Sequence, residues 1–243
     1  MSPLQALKEL LNDQFKSEDG EVFKASPHKG LGIPEIDALA QHLPGQRLPD
    51  EIAELLRFAS GFDCEFFEEI SFTNVDGFAL EHFFPNIVEL TGDGLGNFWL
   101  LDIDYQGNWG PVYYTCHDPA VIMKQAESLT DFIQQIHGYL RTNEESVFGQ
   151  LYEHKTYEIW KQPDGGFITV EKAKTSGDRI LKEFADQLPP DYLIADLRNK
   201  PVGAGFAWGK YYSIMDKESR CKDLPLWGIQ PKRKGFWSRL FGK

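Results

Sequence analysis

Few groups of residues in this chain could do chemistry, and Cys116-His117-Asp118 comes first. A histidine beside a carboxylate could be half of a general acid–base pair, and a cysteine next to them a nucleophile. Adjacent residues on an extended chain point to opposite faces, however, so His117 and Asp118 would not converge on one atom. Asp118 before Pro119 reads as a turn or cap, and Cys116 as a small packed hydrophobe. The glycines of Gly92-Asp-Gly-Leu-Gly-Asn97 invite a phosphate-loop reading. A dinucleotide loop follows a strand and opens a helix, whereas these glycines lead into a strand. They read as a turn in which positive φ is needed.

Metal chemistry has no better footing. Cys64, Cys116 and Cys221 are odd in number and far apart, which fits reduced thiols rather than a disulfide framework. There is no Cys-x-x-Cys, and none of the six histidines repeats at i, i+4. The expectation is a protein that is not an enzyme, with no catalytic residue, metal or cofactor.

Charge says more. The net charge is −12, yet residues 58–123 contain no Lys or Arg at all. At the chain's average, those 66 positions would hold roughly seven. The same stretch carries eleven acids: Asp63, Glu65, Glu68, Glu69, Asp76, Glu81, Glu89, Asp93, Asp102, Asp104 and Asp118. Within it, Asp63-Cys-Glu-Phe-Phe-Glu-Glu69 could be a solvated loop with Phe66 and Phe67 turned inward, or a docking site for a basic partner. The partner-binding candidates are Asp63, Glu65, Glu68, Glu69, Asp93 and Asp104, with Trp109 as an aromatic anchor. Such a surface would speed association with a basic protein, and it opposes nucleic-acid binding, which needs cations for phosphates.

The last twelve residues reverse the sign. Lys232, Arg233, Lys234, Arg239 and Lys243 stand there without an acid, and removing those five from −12 leaves −17 for the rest. Phe236, Trp237, Leu240 and Phe241 would share a face on a helix, so this tail could rest weakly on an anionic membrane or a partner. It could equally be frayed, or docked on the acidic body. No apolar run approaches the ~18–20 residues of a membrane span. The N-terminus has no basic segment followed by an apolar core, so a cytoplasmic protein is expected.

The elements that must position these residues follow from periodicity. Leu4, Leu7, Leu11 and Phe15 predict a helix over 3–16, followed by a polar linker over 17–32. A short helix opens at Pro34 with Ile33, Ile36, Leu39 and Leu43 on one side. Pro49 suits the first turn of the next, whose stripe is Ile52, Leu55, Leu56 and Ala59 and whose end is Gly61. Short strands are expected at 70–73, 78–80 and 86–90. In Phe98-Trp-Leu-Leu-Asp-Ile-Asp-Tyr105, Trp99, Leu101, Ile103 and Tyr105 share one face, and the strand should be wet on the other face at its end. Val112–Cys116 is its antiparallel partner. Ser128, with Asp131 three on, caps a helix with Leu129, Phe132, Ile133, Ile136 and Leu140 buried. Beyond Arg141, helix is expected over 144–160 and over 176–188, the latter burying Ile180, Leu181 and Phe184. Strands are expected at 166–170, 192–198 and 202–208.

Three patches in order resemble the SUKH superfamily, which includes the Smi/Knr-type cell-wall assembly regulators and bacterial toxin-immunity proteins. They are Gly32-Ile-Pro-Glu-Ile-Asp…Gly45-Gln-Arg-Leu48-Pro49 with Ser60-Gly61-Phe62, then Gly92-Asp-Gly-Leu-Gly-Asn-Phe98, then Pro111-Val-Tyr113…His117-Asp118…Leu129 and Phe132. The resemblance covers roughly residues 31–141. It implies an α+β fold, a mixed, mostly antiparallel sheet flanked by helices, here with a C-terminal α+β extension. The division expected is 1–30 N-terminal helix and linker, 31–141 SUKH domain, 142–231 extension or second small domain, and 232–243 tail. It also implies a protein partner: a basic, nuclease-type toxin for an immunity protein, or a signalling assembly for a regulatory scaffold.

Overall fold

The computed structural model describes residues 1–17, 19–67, 69–75, 80, 82–211 and 218–231. Glu68, the expected strand residues Phe78 and Ala79, and the whole tail candidate (Lys232, Arg233, Lys234, Phe236, Trp237, Arg239 and Phe241) lie outside the described residues.

Ser2 and Gln5 cap each other's backbone N–H and start α1 (Pro3–Asn12). The helix ends short of residue 16 because Asp13 turns the backbone extended. Phe15 enters β1 (Phe15–Lys16), which pairs with β2 (Val22–Phe23), and β3 (Ser26–Pro27) follows. The expected linker is therefore a small hairpin pinned by buried Phe15. α2 (Ile33–Gln41) carries Glu35 as a cap on Gly32 N–H at 2.7 Å. Ile36 and Leu39 are buried, but Ile33, at the first position and ahead of the packed turns, stays exposed.

α3 (Asp50–Phe58) buries Ile52, Ala53, Leu55 and Leu56 as its 3.6-residue period requires. Gly61 does not end it. The helix stops at Ala59, and Gly61 opens β4 (Gly61–Asp63) against β5 (Ile70–Ser71). A Cβ there would lie 2.1 Å from the Ile70 carbonyl oxygen, so only glycine lets the strands approach. β3, β4 and β5 form one antiparallel sheet.

Next comes an antiparallel meander of β6 (Ile87–Gly92), β7 (Phe98–Ile103), β8 (Trp109–His117) and β9 (Ala120–Ala126). Its first two turns share one chemistry, Asp93-Gly-Leu-Gly-Asn97 and Asp104-Tyr-Gln-Gly-Asn108. In each, one aspartate oxygen accepts the N–H groups two and four residues on. The other oxygen accepts the asparagine side-chain amide, at 2.7 and 2.8 Å. Gly96 and Gly107 hold φ of +86° and +80°.

Ser128 Oγ accepts Asp131 N–H at 3.2 Å and starts α4 (Leu129–Thr142). Helix resumes as α5 (Val147–Gln150), a π turn over Leu151–Lys155, and α6 (Thr156–Lys161). β10 (Ile168–Thr169) is shorter than expected because Thr169 Oγ1 caps α7 (Val170–Lys174). In α8 (Arg179–Asp186), Leu181 and Phe184 are buried, while Ile180 faces outward and is exposed. β11 (Leu193–Asp196), β12 (Gly205–Phe206), α9 (Trp208–Tyr211), β13 (Glu218–Arg220) and β14 (Leu226–Ile229) are the remaining elements among the described residues. The strand expected over 202–208 is only β12, yet it pairs with β9 and finishes the main sheet, ordered β12-β9-β8-β7-β6.

The result is an α+β fold in four layers. Trp99, Leu101, Ile103, Val112 and Tyr114 face a core shared with α1, α3, α4 and α5. Leu100, Tyr113 and Ile122 face the other way, onto Trp227, Ala195 and Ile229 of a second sheet ordered β10-β11-β14-β13. Ile194 and Leu226, one residue out of phase, pack on α7 and α8. Among the described residues, no helix is long and apolar enough to cross a membrane.

Candidate acidic interaction face

The end of β4 and the loop between β4 and β5 present three exposed carboxylates, Asp63, Glu65 and Glu69. Phe66 and Phe67 turn inward: Phe66 meets Phe23 and Tyr139, and Phe67 meets Trp99 and Phe148, all with ring centroids 5.3–6.0 Å apart. That aromatic anchoring fixes the loop and leaves Asp63, Glu65 and Glu69 exposed. A cleft of about 370 Å³ runs between the β1–β2 hairpin and this loop, with Glu21, Val22 and Phe23 on one wall and Asp63, Cys64 and Glu65 on the other. Lys24 stands among its lining residues. A second cleft, of about 250 Å³, lies on the far side of the loop between Glu69, Ser71, Asn74 and β6, and includes Glu89. Burial pushes the Cys64 thiol up to about 12, so it packs as a neutral group.

His28, within the expected linker, joins this face. Its Nε2 lies 2.9 Å from Asp63 Oδ1 and its Nδ1 3.3 Å from Glu69 Oε1. No periodicity marks His28. Its one signal is its place just after Ser26-Pro27, which run beside β4.

The remaining candidates separate. Asp93 sits at one end of β7, Asp104 and Trp109 at the other, roughly 20 Å apart by strand rise. Asp93 is turned inward. It accepts Tyr114 and Tyr152 hydroxyls at 3.3 Å besides its turn bonds. Burial would raise its carboxyl, but the bonds from Asn97 and Leu95 outweigh that and hold it below the usual range. Asp104 closes its own turn. Trp109 is half-buried against the helical core.

Asp102, expected on the wet face of β7, is 6 % exposed. Its counter-charge arrives from 118 residues away: Arg220 on β13 binds it in bidentate fashion at 2.5 and 2.8 Å. Arg220 also donates to the Phe83 carbonyl at 3.2 Å and stacks over Phe84 and Trp227. Burial would lower its guanidinium, but Asp102 more than compensates and raises it. The hairpin tip continues the clasp: Asp223 accepts Tyr105 N–H and Gln106 Nε2, and Lys222 lies over the exposed Tyr105 ring. Around the β7–β8 turn, therefore, the chain's own extension supplies the basic groups.

His117 is exposed, and both its Nδ1 and its backbone N–H meet Asn97 Oδ1 at 2.9 Å. It ties the β8–β9 turn to the β6–β7 turn and lines neither cleft of the acidic face. Among the described residues, no three His, Cys, Asp or Glu side chains gather as metal ligands.

Fold and face together define an α+β protein built on an antiparallel meander, with exposed carboxylates on the rim beside its three-stranded sheet. The family model described as SMI1 / KNR4 family (SUKH-1) matches residues 33–135, from the first residue of α2 to the middle of α4, and this part of the chain belongs to the SUKH superfamily. The second sheet and Arg220 lie beyond the matched residues. Comparison with curated proteins and with solved structures found no match to the chain.

Proposed function

We propose that this protein is a non-catalytic binding module: an intracellular immunity protein that captures a basic, nuclease-type toxin on the face built from Asp63, Glu65 and Glu69. One observation carries the reading. Within a stretch free of Lys and Arg, Asp93, Asp102 and Asp104 are spent on internal bonds, whereas the loop carboxylates stay exposed beside open clefts. Fixed exposed charge of one sign steers an oppositely charged partner and suppresses wrong ones. The SUKH family, which includes toxin-immunity proteins as well as Smi1/Knr4 regulators, supports a binding role.

The test is protection. A toxin encoded beside this gene, expressed in a host cell, should be tolerated when this protein is co-expressed. Glu65→Lys/Glu69→Lys should lose protection while remaining folded, whereas deletion of 232–243 should retain it. No protection in any form, with liposome or partner binding that collapses on deleting 232–243, would favour instead a regulatory scaffold tethered through its basic aromatic tail.

A further inference from the structure

We propose that His28 is a pH-responsive internal counter-ion of the acidic face, so that affinity for a basic partner rises as the histidine loses its proton. This rests on the docking reading above and adds its regulation. His28 is fixed by backbone and shape: its N–H donates to the Gly61 carbonyl at 2.9 Å, and a Cβ on Gly61 would come within 2.8 Å of Nδ1. The ring is mostly enclosed, and its two nitrogens face two carboxylates, Asp63 at the end of β4 and Glu69 on the loop into β5. Glu65 and Lys24 stand at the neighbouring cleft.

A neutral imidazole has one N–H, so it can donate to only one of these carboxylates and turns a lone pair toward the other. The imidazolium donates to both. In that form it draws in two of the three described carboxylates that a cationic partner would use. Histidine is the side chain whose charge ordinarily changes between about pH 5 and 8. A partner's guanidinium therefore competes with His28 at the acid end of that range and meets freed carboxylate at the alkaline end.

The full chain would be titrated calorimetrically with a hexa-arginine peptide, whose charge is constant, at about pH 5.5 and about pH 8 and equal ionic strength. The wild type should bind up to about five-fold more tightly at the higher pH, the scale of an exposed ion pair. His28→Gln should remove most of that difference. An equal pH dependence in both proteins overturns the proposal. In parallel, imidazole ¹⁵N NMR should show the chemical shifts of the two His28 ring nitrogens changed in Asp63→Asn and in Glu69→Gln, because each carboxylate faces one nitrogen, and unmoved shifts refute the bridge. If the peptide binds neither protein at either pH, the docking reading fails and the regulation with it. The NMR result then still decides whether the bridge exists.

Discussion

Replacing Arg220 by alanine would strand a carboxylate inside the protein. The Arg220 and Asp102 side chains are only 9 % and 8 % exposed, and two charge-assisted bonds join them. Removing one partner of such a pair costs about 3–5 kcal/mol, because the survivor keeps its desolvation penalty and loses its counter-charge. The Phe83 carbonyl would not be orphaned, since Trp227 Nε1 also donates to it at 2.8 Å. The loss therefore belongs mainly to Asp102. Urea unfolding followed by tryptophan fluorescence can measure it, because Trp99 and Trp227 are fully buried in the two cores. Asp102→Leu/Arg220→Met removes both charges while keeping bulk, and should recover most of the stability. If Arg220→Ala costs less than about 1 kcal/mol, or the double variant is no better than the single, the pair is not the buried clasp described here.

Two further outcomes concern how the rest of the chain is joined. Phe148 lies beyond the family match yet stacks on Trp99 at 5.2 Å, so Phe148→Ala should cost about 3–5 kcal/mol in the same assay, while exposed Tyr157→Ala should stay within about 0.5 kcal/mol. Asp13 ties α1 to α4, and hydrogen bonds from His137 and Arg141 hold its carboxyl down at about 2. A depressed carboxylate contributes stability that is present above its ordinary value near 3.8 and lost as pH falls toward 2. Acid-unfolding curves should therefore show a drop over that window in the wild type that is missing in Asp13→Asn.

Local chemistry was readable from the sequence, and long-range charge pairing was not. The α3 stripe, the Ser128 cap and the two-sided burial of residues 99–101 at the start of β7 follow from periods of 3.6 and 2 and from capping, which operate within a few residues. Asp102 was misplaced because strand alternation assigns a face and cannot see what covers it. Its cover is a second sheet, and its partner comes from Arg220. Within the stretch 58–123, which lacks Lys and Arg, Asp63, Glu65 and Glu69 stay exposed while Asp93 and Asp104 bond internally. Asp93 and Asp104 belong to Asp-x-x-Gly-Asn turns, a pattern visible in the sequence that predicts side chains bonded to their own backbone. His28 and Glu21 fell in a segment whose two-residue strands are too short to leave a pattern. Gly61 was given a helix-ending role because a glycine after a helix commonly has one, whereas here it makes room for Ile70 and His28.

The most direct test of the acidic face is the salt dependence of toxin binding. For the basic toxin proposed as its partner, affinity should fall steeply as salt rises, and Glu65→Lys/Glu69→Lys should both weaken binding and flatten that slope. Unchanged affinity and slope in that variant, with the fold intact, would contradict the account.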